Sequence, residues 1–222
     1  MLENHENKYI FYGGSYEVES LISIIGCCML SFLYIILYTI LMRLKDTKFI
    51  KKYYTYIWAV LILIIALIYP DSLLRKISFE FFYNKKIIIE ILKIAVFACF
   101  LGYVSGYKTV NKRHDFDFCI IFPVFEEILF RGVILFILVN VGLLSDKYAV
   151  VLSALLFGVM HFQYFGLKKE SIRYVVFAFI GGYFFGNIVL ITQSILPSIF
   201  LHMVFNISAI GFSRYRIKKS SM

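Results

Sequence analysis

Two adjacent carboxylates and an arginine, in the stretch Glu126-Glu127-Ile128-Leu129-Phe130-Arg131, interrupt an apolar run from Phe116 to Leu144. On insertion scales a single acidic or basic side chain at the centre of a membrane helix costs about 2.5 to 3.5 kcal/mol, so such a cluster is kept for function rather than for packing. Two of the histidines, His161 and His202, also fall in apolar runs. His202 is followed at i,i+4 spacing by Asn206, and Phe157 by His161, so each pair projects from one helix face. Glu127 and Arg131 share that spacing with the glutamate on the N-terminal side, the favourable order for an ion pair. The helical period turns Glu126 about 100 degrees away from them. This divides the labour, with Glu127 and Arg131 as structural partners and Glu126 as the chemical group.

A carboxylate to activate water, imidazoles to orient or protonate, and an amide to stabilise an oxyanion are the parts of a hydrolase. One carboxylate and two histidines with an open position are equally the parts of a catalytic zinc site, with Glu126, His161 and His202 as ligands. The residues alone leave both readings open, beside a third in which each histidine only bonds a neighbouring helix.

The elements that carry these groups must lie in a membrane. The chain is 61% hydrophobic, 19% aromatic and 17% charged, with a mean hydropathy of +0.82, against about 25% charged residues in soluble domains. The expected fold is an all-α integral membrane protein in which residues 1–222 form a single membrane domain. Apolar runs at 20–42, 54–70, 87–106, 116–141, 148–166, 172–191 and 195–213 predict about seven transmembrane helices. Residues 1–110 carry spans without a motif, and 116–210 carry the motifs. The acidic start, with Glu3, Glu6, Glu17 and Glu19 against Lys8, lacks the positive region of a signal peptide, so the first run is expected to stay as a span. The segment Asp71 to Lys86 mixes apolar and charged residues and reads either as an interfacial helix or as a loop.

Alternating the segments between spans puts fifteen Lys and Arg residues on one side and six on the other. The N-terminus is therefore expected outside and the C-terminus in the cytoplasm. The net charge of +9 is then an orientation and anionic-lipid signal, with the bilayer as partner and no nucleic acid. At 1.5 Å per residue, Glu126, His161 and His202 lie roughly 15, 8 and 17 Å from the cytoplasmic ends of their spans, so all three share one half of the membrane.

Glu126-Glu127-x-x-x-Arg131, Phe157-x-x-x-His161 and His202-x-x-x-Asn206, in that order on three spans, resemble the CAAX protease and bacteriocin-processing (CPBP, or Abi) family, which includes the type II CAAX prenyl endopeptidases. The approach to the last motif, Gly182-x-x-x-Gly186 then Thr192, Ser194 and Pro197, is similar to that family's as well. The resemblance implies an intramembrane endopeptidase in which Glu126 activates water with His161, while His202 and Asn206 form an oxyanion hole or bind a metal. The family has been described both as metal-dependent and as metal-independent glutamate proteases, so the resemblance leaves a divalent metal such as zinc and a metal-free mechanism equally open. Richness in Ile, Lys, Phe and Tyr suggests an AT-rich bacterial genome. Bacterial relatives imply a short peptide or membrane-anchored protein as substrate, in bacteriocin maturation or self-immunity at the cell membrane. The alternative is a non-catalytic immunity or scaffold protein that keeps the protease fold. A transporter fits less well, because its polar residues would recur in both halves of the chain.

Several further residues carry structural expectations. Gly102-x-x-x-Gly106 and Gly182-x-x-x-Gly186 predict close helix packing, and Pro123 predicts a kink whose freed carbonyl bonds a water or a motif side chain. Glu90 and Lys93 should pair, Asn187 and Gln193 should bond between helices, and Trp58 should sit at an interface. Cys27, Cys28, Cys99 and Cys119 read as buried thiols.

Overall fold

The computed structural model describes residues 13–43, 47–68, 77–108 and 111–220. All regular structure among them is helical: α1 (Gly13–Ser31), α2 (Leu33–Leu41), α3 (Thr47–Ile68), α4 (Lys85–Val104), α5 (112–141), α6 (Asp146–Met160), the single turn α7 (Phe162–Phe165), α8 (Ser171–Thr192) and α9 (Leu196–Ser220). Helix α5 lies at the centre. Its residues Ile128 to Ile134 are all buried, as expected of a helix surrounded by others. It packs on α1 and α3 on one side and on α6, α8 and α9 on the other. Trp58, Ile62, Leu129, Ile134, Phe157 and Met160 join these helices in one apolar cluster. Outer faces carry exposed large apolar side chains such as Val96, Phe100, Ile191 and Phe200, a surface suited to lipid.

Among the described residues four helices are long and apolar enough to cross a membrane, Lys85–Val104, Asp146–Phe165, Ser171–Thr192 and Leu196–Lys219, and a fifth if Val18–Ser31 and Leu33–Leu41, bent by 54°, count as one span. This is a multi-pass arrangement with fewer clear spans than the seven expected. The run at 54–70 corresponds to the shorter apolar helix Lys52–Ile68. The run at 116–141 carries the three charged residues, and its helix passes through wide π turns at Asp117–Ile121, Ile128–Ile134 and Ile137–Val141.

The bend between α1 and α2 leaves backbone groups that a continuous helix would pair. Gln163, in the α7 turn, fills the gap: its Nε2 donates to the Ser31 carbonyl at 2.7 Å, and its Oε1 accepts from the Ile35 N–H at 2.9 Å. Residues 71–76 of the candidate interfacial helix, and Glu3 and Glu6, lie outside the described residues. The rest of that segment is a single 3-10 turn, Glu80–Tyr83, followed by Asn84, whose side chain caps α4 by accepting from the Lys86 and Ile87 N–H groups.

The glycines act as expected, with one exception. A Cβ on Gly102 would lie 2.7 Å from the Ser208 Cβ and 2.8 Å from the Phe205 carbonyl, so α4 and α9 touch through backbone there. Gly186 makes room for the Val150 side chain of α6, whose Cγ1 would lie 3.0 Å from an added Cβ, but Gly106 is no packing site: it ends the α4 segment with φ +65 against the Arg173 guanidinium. Glu90 and Lys93 pair at 2.7 Å. Asn187 and Gln193 bond backbone carbonyls of their own helix, Tyr183 and Leu190, rather than other helices. Trp58 is fully buried rather than interfacial, and of the four free thiols only Cys27 is fully buried, with Cys99 exposed.

Gly102→Ala should therefore force α4 off α9 and destabilise the protein by about 1 to 3 kcal/mol. Gly26→Ala, where an added Cβ meets nothing within 4 Å, should not. Thermal unfolding of both variants in detergent checks this.

Candidate active site

The three motifs meet at the middle of α5. The Glu127 Oε1 accepts from Arg131 Nη1 at 3.1 Å within α5 and from His202 Nδ1 at 3.0 Å across to α9, all in a fully or almost fully buried setting. One carboxylate oxygen thus ties two helices together. Arg131 is enclosed by aromatic rings, with its guanidinium carbon 4.4 Å from the Phe157 centroid, 5.6 Å from Phe185 and 5.9 Å from Phe130. Such a cage stabilises a desolvated guanidinium. It also needs Gly182, where a Cβ would lie 3.1 Å from Arg131 Nη2 and 3.2 Å from Phe157. The small residue thus brings α8 against the site.

Phe157 links the parts, because its ring stands edge-on to His161 at 4.9 Å and to His202 at 5.6 Å. His161 Nδ1 donates to the Phe157 carbonyl at 2.8 Å. That bond fixes the tautomer and leaves Nε2 as the unprotonated nitrogen. Likewise the bond from His202 Nδ1 to Glu127 leaves Nε2 for other work, and this atom lies 3.7 Å from Glu126 Oε2. Asn206, one turn on, donates from Nδ2 to the Phe118 carbonyl at 2.6 Å.

Glu126, His161, His202 and Asn206 line one cavity of about 340 Å³, whereas Glu127 and Arg131 stand behind its wall. The expected 100-degree separation of the two glutamates is thus visible as one facing the cavity and one facing protein. The cavity has an apolar side from α4, α8 and α9, including Phe97, Leu101, Phe177 and Phe184, and it reaches Ser105, Tyr107, His114 and Asp117. There the Tyr107 hydroxyl and His114 Nδ1 share a hydrogen bond of 3.2 Å. Burial, then the Asp115 charge, pushes the Tyr107 phenol above the usual tyrosine range, which keeps it a neutral donor.

Residues with no sequence motif complete the lining. Tyr164 lines the same cavity as Glu126, and its ring stands 5.8 Å from His161 and 4.8 Å from Tyr34. The signal was its position three residues after His161, on the same face of a helix. Tyr34 offered none, since it belongs to the motif-free half.

As placed, Glu126, His161 and His202 do not form a metal-ligand set. His161 makes no hydrogen bond or ion pair with either glutamate, and no group of three or more His, Cys, Asp or Glu among the described residues is arranged to hold a metal.

Residues 116–208 match the family model described as type II CAAX prenyl endopeptidase Rce1-like. The match agrees with the resemblance of the three motifs to the CPBP, or CAAX protease, family. It covers the motif-bearing part of the chain, from the start of the central helix to just beyond Asn206. Neither a curated protein nor a solved structure matches the chain.

Removing Arg131 alone leaves the Glu127 carboxylate buried without its cation. Arg131→Met should cost about 3 to 5 kcal/mol, and the double variant Glu127→Gln with Arg131→Met should recover part of that loss. Unfolding midpoints of the two proteins in detergent measure the difference.

Proposed function

We propose that this protein is an intramembrane endopeptidase that hydrolyses a peptide bond of a membrane-associated peptide or protein, with Glu126 taking the proton of the attacking water. The observation that carries this reading is that Glu126, His202, His161 and Asn206, from three separate motifs, face one cavity, while Glu127 and Arg131 hold His202 from behind.

The 3.7 Å between Glu126 Oε2 and His202 Nε2 is too long for a direct hydrogen bond and suits two groups that address a third atom between them. In the reading, Glu126 accepts a proton as water attacks the scissile carbonyl and returns it to the leaving amine. His161 orients the water through Nε2. Asn206 faces the developing oxyanion as a preorganised donor, and His202 joins it as a second donor once its Nε2 has also taken a proton. The competing form of the same reaction would use a divalent metal such as zinc, which Glu126, His161 and His202 would hold once drawn together and which would supply the acidity that activates the water.

The cavity's size falls within the roughly 300 to 1,000 Å³ of small-ligand sites, and its aromatic wall suits a short apolar peptide. This supports a role in bacteriocin or peptide maturation, or in self-immunity, at a bacterial cell membrane. The expected topology of seven spans, N-terminus outside and C-terminus cytoplasmic, is part of the proposal. Its support is that the basic segments assigned to the cytoplasm meet at one end of the bundle: Arg113 bonds the Lys52 carbonyl at 2.6 Å, Arg214 pairs with Asp115 at 2.6 Å, and Arg173 lies against Gly106.

Purified protein in detergent, offered a quenched peptide library, should cleave it. Glu126→Gln should abolish cleavage with the fold intact, and Asn206→Ala should slow it by about 100-fold to 1000-fold, the usual cost of a lost oxyanion donor. A chelator arm separates the two chemistries: activity that survives chelation supports glutamate-activated water, and activity lost to it and restored by zinc supports the metal form. A wild type that cleaves nothing, with Glu126→Gln still active in the cell, would leave the non-catalytic immunity or scaffold role.

A further inference from the structure

Asn206 spends one of its two amide hydrogens on the Phe118 carbonyl, and the reason lies in the backbone of α5. Residues Asp117–Ile121 form a π turn, and at its end the Phe122 N–H donates to the Asp117 carbonyl, five residues back. In an α-helix that N–H would have served Phe118. In the π register the next donor for Phe118 is residue 123, which is Pro123 and has no N–H. The Phe118 carbonyl is thus denied both of its backbone donors, and a buried carbonyl left in that state is costly. The Asn206 Nδ2 fills the place at 2.6 Å.

We infer that Pro123 and the π turn before it are a positioning device that holds the Asn206 amide by the freed Phe118 carbonyl and aims its remaining N–H into the cavity. Because a carbonyl accepts and never donates, the contact also fixes which way the amide is turned: nitrogen toward Phe118. Asn206 makes no other hydrogen bond among the described residues and is almost fully buried against the cavity. Its second Nδ2 hydrogen is then the one donor it can offer, on the side where Glu126 and His202 face the same space. Pro123 itself acts only through Asn206. The inference deepens the endopeptidase reading and rests on it for its consequence in rate, but not for the coupling between residues 123 and 206.

The test is a double-mutant cycle of Pro123→Ala and Asn206→Ala in the full chain, read by unfolding midpoint in detergent and by cleavage kinetics. In the wild-type background Asn206→Ala should lower the midpoint by roughly 3 to 10 °C, the scale of one orphaned buried carbonyl. In the Pro123→Ala background, where the substituted residue supplies an N–H, the same change at Asn206 should lower it by less than half as much. Pro123→Ala alone should keep or raise the midpoint yet reduce kcat by about tenfold or more with KM little changed, a split that a merely structural proline would not produce. Asn206→Asp gives a reading that does not need Pro123→Ala to fold: a group turned as an acceptor toward the carbonyl should destabilise more than alanine does. Additive midpoint shifts, an unchanged kcat in Pro123→Ala, or an Asn206→Asp protein as stable as wild type would each overturn the inference. A wild type with no cleavage would remove the endopeptidase reading, while the midpoints would still decide the coupling.

Discussion

One oxygen of the Glu127 carboxylate accepts from Arg131 and from His202 in a setting closed to solvent, and the rest of the site is arranged around that shared atom. Two cationic or hydrogen-bonding partners offset the cost of holding a carboxylate in a low-dielectric interior, a cost that in isolation would be several kcal/mol or more. Arg131 would face the same penalty without its carboxylate and its cage of Phe130, Phe157 and Phe185. The pair therefore forces α5, α6, α8 and α9 to close around one point, and Gly182 is the place where α8 comes near enough to do so. His202 arrives at this point already oriented. Its Nδ1 is committed to Glu127, so only Nε2 is left to address Glu126 and the cavity.

The C-terminal half was largely legible from sequence, for a reason that is physical. Charges and histidines in apolar runs are expensive, so their spacing marks where they must meet partners. Glu127 with Arg131, Glu126 turned away toward open space, and His202 and Asn206 on one face of α9 all follow from the helical period, and each is found where that period puts it. What the period leaves out is the partner across the gap. Nothing in the spacing said that Glu127 would bind His202 as well as Arg131, because the pairing spans 75 residues and depends on how α9 packs on α5.

The N-terminal half was less legible. Hydropathy marks apolar runs but not where a helix breaks, and the 54° bend after Ser31 follows no proline. Trp58 looked interfacial because tryptophan often is, yet it packs at the centre of the main cluster beside Tyr34 and Phe122. Tyr34 had no motif to announce it, yet it lines the cavity, as Thr55, Ile94 and Phe97 of the same half do. The motif-free half contributes to the wall of the site, so the family pattern alone describes only part of it.

Asn206 and Gln163 show a common solution to a constraint peculiar to apolar surroundings. A helix that breaks or widens inside such surroundings exposes backbone groups that water is not there to satisfy, so irregular backbone survives only where protein or a cavity covers it. At Ser31 and Ile35 the cover is the Gln163 amide, one group satisfying a carbonyl and an N–H together. At Phe118 it is the Asn206 amide. Both amides line the same cavity, and a regular helix could not offer carbonyls there for side chains to grip. The irregular backbone is therefore a means of orientation as well as a cost: it fixes two amide groups at the edge of one shared space.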